Sequence, residues 1–245
     1  MVHGSGVAGD HMIVELGEAA PDQVGGKAVG LARLVEIGLP VPPAVVVPVS
    51  AEGALGDPDE VVRRLGEPLA VRSSAVDEDA ADRSAAGQYD SLMGVRAEGL
   101  REAVERVHAS GANQRARAYG LGGNVAVIIQ REVAATRAGV AFSRDPLGRS
   151  DDAVIECGFG HGEAVVSGET TPDRFVVGED RVVEVRIAAR FGPLAAIRTL
   201  RDDEARAIAG LARRAEDGFG VPVDVEFCFE RRRLWLVQCR PITTL

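Results

Sequence analysis

The stretch VDVEFCFERRRLWLVQCRP, residues 223–241, constrains the fold of this chain more than any other. Two runs that otherwise read as buried strands carry Asp224 and Glu226, then Gln238 and Arg240, at two-residue spacing around a basic turn. Side chains alternate faces along a strand, so each pair shares a face. With Arg231 to Arg233 as a three-residue turn, Glu230 pairs with Leu234, Glu226 stands opposite Gln238 and Asp224 opposite Arg240. This register gathers the four polar groups together and collects Val225, Phe227, Phe229, Trp235, Val237 and Cys239 on the reverse face. A two-residue turn would mix polar and apolar residues on both faces. A solvated face with a surface ion pair is the ordinary use of such a pattern. Against it, Cys228 and Leu236 fall on the polar face and suggest a lined pocket. Two carboxylates and an amide oxygen beside a guanidinium suit a Mg²⁺ ion and a phosphate chain.

The rest of the chain bounds the class of partner. Its 245 residues, 46% of them hydrophobic, suffice for one large domain or two closely joined lobes. A formal net charge of -9 with dispersed basic residues argues against a nucleic acid partner. No apolar stretch approaches the roughly 20 residues of a membrane helix, and the first residues, MVHGSGVAGDHM, lack the blocks of a signal peptide, so no membrane partner and a cytoplasmic location are expected. That start reads equally as a native tail or a vector remnant. Cys157, Cys228 and Cys239 are far apart, without a C-x-x-C pair, and are expected as reduced core residues.

Short strands alternate with helices. GGKAVGLARLVEIG predicts a helix with Val29, Leu31, Leu34, Val35 and Ile37 near one side and an end at Gly38; LPVPPAVVVPV follows as an extended segment. LAVRSS and YDSLMGV read as strands flanking an acidic, Ala-rich stretch, and a helical region runs from about Ala97 to Tyr119. GLGGN, residues 120–124, marks the lobe boundary, dividing the chain into residues 12–120 and 121–245. Beyond it, VAVIIQREV, AGVAFS, AVIECGF, RFVV and RVVEVRIAAR are strands, and a helix from about Asp202 to Asp217 precedes the final hairpin.

Two further stretches carry cations where a triphosphate needs them. VGGKAVG sets Lys27 at the start of a helix behind paired glycines, where free N–H groups and an ammonium can meet an anion. It is not a P-loop, and a plain helix-opening turn would look the same. AVRSSA places Arg72 at a strand end before two hydroxyls; a structural salt bridge is the other use of such a residue.

Together, in order and wording, these stretches resemble the ATP-binding domain shared by phosphoenolpyruvate synthase, pyruvate phosphate dikinase and rifampin phosphotransferase. The resemblance covers most of the chain: GGKAVGLARLVEIGLPVPPAVVV, LAVRSSAVDEDAADRSAAGQYDSLMGV, VAVIIQREVAATRAGVAFSRDP, GFGHGEAVVSGETTPDRFVV and VPVDVEFCFERRRLWLVQCRPIT. It implies an α+β ATP-grasp fold, two lobes clasping ATP between their sheets, with ATP and Mg²⁺ as cofactors. Lys27 and Arg72 match residues that hold the triphosphate, Glu226 and Gln238 the metal-binding pair, Asp224 its supporting acid and Arg240 a phosphate-facing guanidinium. Lys27, Arg72 and Arg240 are thereby implied as catalytic. Gln130 and the following Arg131 to Val133 match the hinge strand that meets adenine mostly through its backbone. Ser84 and Gly87 match the loop that approaches the phosphates, and Glu163 an acid near the metal or ribose. His161 reads as a surface histidine.

Departures matter too. The segments before LAVRSS and before VAVIIQ are shorter than the resemblance leads one to expect. RPITTL falls where relatives continue into a phosphohistidine domain, and His3, His11, His108 and His161 stand in unrelated contexts, so no carrier histidine is expected here. The expected function is an ATP-dependent phosphotransferase that passes a phosphoryl or pyrophosphoryl group to a histidine on a separate carrier protein. A kinase or ligase activating a small carboxylate or hydroxyl, and a nucleotide-binding module without turnover, are the alternatives.

Overall fold

The computed structural model describes residues 13–75, 91–119, 125–160, 171–189 and 197–242, with only the backbone described over 110–119. Its first strands and helices are β1 (Val14–Glu15), α1 (Pro21–Glu36), β2 (Ala44–Val47), α2 (Pro58–Leu65), β3 (Leu69–Ala75), β4 (Ser91–Val95), α3 (Ala97–Tyr119) and β5 (Val125–Arg131). After them come β6 (Arg137–Phe142), β7 (Ala153–Phe159), β8 (Asp173–Val177), β9 (Val182–Arg186), α4 (Asp202–Phe219), β10 (Val223–Glu230) and β11 (Arg233–Pro241). They form two antiparallel sheets, ordered β1-β2-β5-β3-β4 and β11-β10-β6-β7-β8-β9.

The central strand of the first sheet is β5, whose run VAVIIQ is buried throughout, because helices cover both faces. On one face Val127 and Ile129 pack with Val45, Val47, Leu69 and Val71 against Leu65 of α2 and Leu100 and Val104 of α3. On the other, Ala126 and Ile128 meet Val24, Ala28 and Leu31 of α1. A boundary at 120–124 would put β5 in the second lobe; it hydrogen-bonds in the first sheet, between β2 and β3. The expected boundary itself, 120–124, lies outside the described residues.

The second sheet buries one face under α4. Ile155, Cys157, Phe175, Val225, Phe227 and Phe229 meet Ala205, Ile208, Ala209 and Ala212 there, joined by Leu34 from α1. The stripe expected on α1 is narrower than predicted: Leu31 and Leu34 are buried, but Val29 and Val35 are exposed. Small residues take their place, since Ala28 and Gly30 let α1 lie close to its neighbours.

The closing hairpin keeps the predicted pairings of Asp224 with Arg240 and Glu226 with Gln238, but by another route. Its turn has two residues, Arg231 and Arg232, because Glu230 pairs with Arg233, and Arg231 adopts a positive φ of 58°. The ladder shifts between Glu226 and Phe227, leaving Val237 unpaired as a β-bulge that restores the missing residue. Between turn and bulge the faces are therefore exchanged. Leu236 packs in the core under α4 with Phe227 and Phe229, correcting its expected place on the polar face. Trp235 and Val237, expected in that core, instead join Cys228 on the opposite side.

Candidate functional site

The face of the second sheet turned away from α4 carries Asp224, Glu226, Gln238 and Arg240 together. Asp224 and Gln238 are buried, each 8% exposed, and Glu226 is half-buried. The Arg240 guanidinium donates to Asp224 Oδ2 at 3.0 Å. Burial nonetheless raises the Asp224 carboxyl above its ordinary range; Arg240 opposes that rise and the neighbouring Glu226 adds to it. Cys228, next along this face, has its thiol pushed up to about 12, chiefly by burial, which suits it to packing.

Arg72 comes from the first sheet to meet this face. It stands on β3 on the side where Ala126 and Ile128 meet α1, directly opposite Ile128 on β5. Its Nη1 donates to the Val237 carbonyl at 3.1 Å, and its Nη2 lies 3.4 Å from Glu226 Oε2. The bulge thus places a backbone acceptor where Arg72 reaches across.

The start of α1 is fixed against the same strand. Gly25 takes φ 75° within the helical span, and a Cβ there would stand 2.5 Å from the Ser74 carbonyl oxygen, so glycine is required on both counts. Ser74, two residues from Arg72, accepts the Ala28 N–H at 3.1 Å through its hydroxyl and serves as a cap supplied from β3. Lys27 lies between these anchors, half-buried at the opening of the regular helix. One turn on, Gly30 abuts β11: a Cβ there would fall 2.2 Å from the Cys239 carbonyl oxygen. Lys27, Arg72 and the hairpin are thus held around one region by backbone contacts.

The hinge from β5 to β6 supplies the next part. Gln130 is buried, and its side-chain amide donates to the Pro42 carbonyl at 3.4 Å. The Arg131 and Glu132 N–H groups are taken by the carbonyls of Pro43 and Pro68. Among the described residues the Val133 N–H carries no hydrogen bond, which leaves a backbone donor at the hinge. Val133, Ala138, Cys228 and Trp235 pack into an apolar cluster beside it. Arg131 stacks over Trp235, 4.9 Å from the ring centre, and pairs with Glu230 at 3.1 Å. Sequence reasoning missed Trp235 here, because the bulge that turns it toward the hinge leaves no mark in the polar and apolar alternation.

Ser84, Gly87, Glu163, His161, His3 and His11 lie outside the described residues. His108 is on α3, packed over Gly53, and burial lowers its imidazole pKa against the opposing field of Glu52. The three cysteines are free and buried. Among the described residues no three His, Cys, Asp or Glu side chains cluster as a metal site, and no helix is long and apolar enough to cross a membrane. What the hairpin does offer is one carboxylate and one amide oxygen, side by side, a donor set that fits a hard cation completing its shell with water and phosphate.

A family model described as pyruvate phosphate dikinase, AMP/ATP-binding domain, matches residues 50–245. The chain belongs to that family. Lys27 lies before the matched span, whereas Arg72, Asp224, Glu226, Gln238 and Arg240 lie within it. Among curated proteins, this AMP/ATP-binding domain is 37% identical to a rifampicin phosphotransferase of Streptomyces sp, over 79% of the chain and 26% of that protein. It is 33% identical to the prodigiosin synthesizing transferase PigC of Serratia marcescens, over 91% of the chain and 32% of that protein. It is 31% identical to a probable phosphoenolpyruvate synthase of Methanothermobacter thermautotrophicus, over 99% of the chain and 48% of that protein. The chain therefore spans between about a quarter and a half of these relatives' lengths. Among solved structures, a Ca. Korarchaeum cryptofilum dinucleotide forming acetyl-coenzyme A synthetase aligns with a TM-score of 0.50 at 14% identity, over 87% of this chain and 90% of that one. That likeness is one of fold, and the two antiparallel sheets with their helices are the α+β ATP-grasp architecture expected from the sequence.

Proposed function

We propose that this AMP/ATP-binding domain is the nucleotide-activating part of an ATP-dependent phosphotransferase. It passes a phosphoryl or pyrophosphoryl group from Mg-ATP to the imidazole of a histidine on a separate carrier. The observation that carries this reading is the meeting of Arg72, from one sheet, with Glu226, which stands opposite Gln238 on the other, beside a hinge with an open backbone donor. The lobes this reading requires divide between β5 and β6, after Arg131.

Each residue then has a task. Val133 N–H and the Cys228–Trp235 cluster receive the adenine edge and face. Lys27, at a helix start, and Arg72 hold the phosphate oxygens as charge develops during transfer. Glu226 and Gln238 hold Mg²⁺, which neutralises triphosphate charge when bound. Asp224 fixes Arg240 in place, and Arg240, more than half exposed at its side chain, faces phosphate. In this reading Ser84 and Gly87 belong to the loop that approaches the phosphates, and Glu163 serves the metal or the ribose.

The test is binding and turnover together. Titration with a fluorescent ATP analogue, with and without Mg²⁺, should show metal-dependent affinity. Chromatography of the products with a histidine-bearing carrier protein should show AMP or ADP formed in step with the carrier's label. Failure to bind the nucleotide with Mg²⁺ would overturn the reading.

A further inference from the structure

The row of side chains that contains the Glu226 and Gln238 pair does not stop at the hairpin. Residues directly opposite one another in an antiparallel sheet share a face. Following the register from Gln238 and Glu226 leads through Val140 on β6 and Glu156 on β7 to Arg174 on β8 and Arg186 on β9. Their neighbours Ile155, Cys157 and Phe175 face α4, so Glu156 and Arg174 face the same side as Glu226.

Glu156 and Arg174 are half-buried and directly opposed, yet they form no ion pair with each other and no hydrogen bond among the described residues. Arg186, by contrast, is taken by Glu184. Arg174 does act electrostatically on Asp145, which is itself held by Arg149 and the Leu147 N–H. At about 4.8 Å per strand, Glu156 lies roughly 10 Å along the row from Glu226 and Arg174 one strand farther. An opposite-charge pair left open at that distance from a phosphate-activating centre is arranged to receive something bipolar.

We infer that Glu156 and Arg174 form the acceptor subsite: Glu156 takes the N–H of an imidazole, and Arg174 takes an anionic group carried beside that imidazole. The order of the charges decides the orientation. Asp224 and Glu226 are answered by Arg240 and Arg72, whereas Glu156, the member of the pair nearer the metal pair, has no such partner among the described residues, so it accepts from a neutral nitrogen nucleophile bearing a proton and repels a carboxylate. In the transfer, the lone pair of the free ring nitrogen forms an N–P bond and the P–O bond to the nucleotide breaks. The electron pair stays on the departing ADP or AMP oxygen, and the proton on the other ring nitrogen remains against Glu156. The inference rests on the phosphotransfer reading above.

The probes are free imidazole and imidazole-4-acetate, the second carrying an anionic handle, each supplied with Mg-ATP to the full chain. Wild type should form nucleotide product faster with either than with water, and imidazole-4-acetate should have the lower KM, by tenfold or more. Glu156→Gln should lower the rate with both probes at least tenfold, and Arg174→Gln should abolish the preference for imidazole-4-acetate while leaving imidazole unchanged. Binding of the fluorescent ATP analogue should stay within twofold in both variants. Unchanged probe kinetics in the variants, or no acceleration of wild type by either probe despite normal ATP binding, would overturn the subsite alone; loss of ATP binding in wild type would overturn the reading beneath it as well.

Discussion

Arg72 on β3 and Glu226 on β10 lie 3.4 Å apart, guanidinium to carboxylate, and join the two sheets across 154 positions of sequence. The contact is longer than the about 2.7–2.9 Å of a well-formed charge-assisted bond. Both side chains are about one-fifth exposed, so as a stabilising pair the contact contributes little. Its value is positional. Arg72 is held mainly by the Val237 carbonyl, which leaves Glu226 free to turn to a cation and Arg72 free to turn its second nitrogen to phosphate.

Glu226→Ala and Gln238→Ala should each lower Mg²⁺-dependent nucleotide turnover by about 10²-fold or more, since each removes an oxygen donor from the cation that offsets triphosphate charge. The fold should be unaffected, because Arg72 keeps its bond to Val237. Rates measured over a Mg²⁺ titration, with circular dichroism as the control, check this; turnover unchanged in either variant counts against the metal pair.

Gly30→Ala tests whether α1 and β11 are locked. The added methyl would overlap the Cys239 carbonyl oxygen, and forcing helix and strand apart should cost about 3 kcal/mol. Gly210 on α4 has nothing within 4 Å of the same position, so Gly210→Ala should instead stabilise by about 0.5–1 kcal/mol. Urea unfolding midpoints of the two variants should therefore move in opposite directions.

Glu204 on α4 takes a bidentate bond from Arg137 on β6, at 2.8 Å to each oxygen. That bond, ahead of the opposing effect of burial, lowers the Glu204 carboxyl below its ordinary value. A depressed carboxyl stabilises the fold above its unfolded pKa, about 4.3, and loses that contribution as pH falls through the lower folded value. Glu204→Gln should therefore cost about 2 kcal/mol near neutrality, the worth of a hydrogen bond to a charged group. The difference from wild type should shrink steadily below about pH 4.3; a gap independent of pH would show that packing, not charge, is at stake.

Much of this arrangement was legible in the sequence because it is written in period. Asp224, Glu226, Gln238 and Arg240 at two-residue spacing fix a shared face, and the buried run of β5 marks a central strand. Period does not report which sheet a strand joins, since pairing of β5 with β2 and β3 is a matter of distant partners. Nor does it reveal α2, a short helix opened by the Asp57 cap and Pro58. The bulge at Val237 was illegible for a related reason: two offsets, a shorter turn and one extra residue, cancel at Glu226 and exchange the faces only of the β11 residues between the turn and Gln238. Glu156 and Arg174 carried no local signal, because their shared row exists only through the register of three neighbouring strands.

That cancellation gives the hairpin a sharp test. Deleting Val237 removes the unpaired residue, so Phe227 opposite Leu236 and Glu226 opposite Gln238 become consecutive rungs of a regular ladder. Leu236 stays in the core under α4, and Asp224 stays opposite Arg240. What is lost is the carbonyl that receives Arg72 Nη1 at 3.1 Å, together with the extra twist a bulge imparts. The deleted chain should therefore keep its far-ultraviolet circular dichroism and a single unfolding transition, yet bind Mg-ATP more weakly by roughly 10-fold or more, the equivalent of one hydrogen bond to a charged group. Arg72→Ala should then cost less in the deleted background than in wild type, because the deletion has already removed the carbonyl that positions Arg72. Full and independent losses from the two changes would mean that the Val237 carbonyl does not position Arg72, and that the bulge serves only to turn Trp235 toward the hinge.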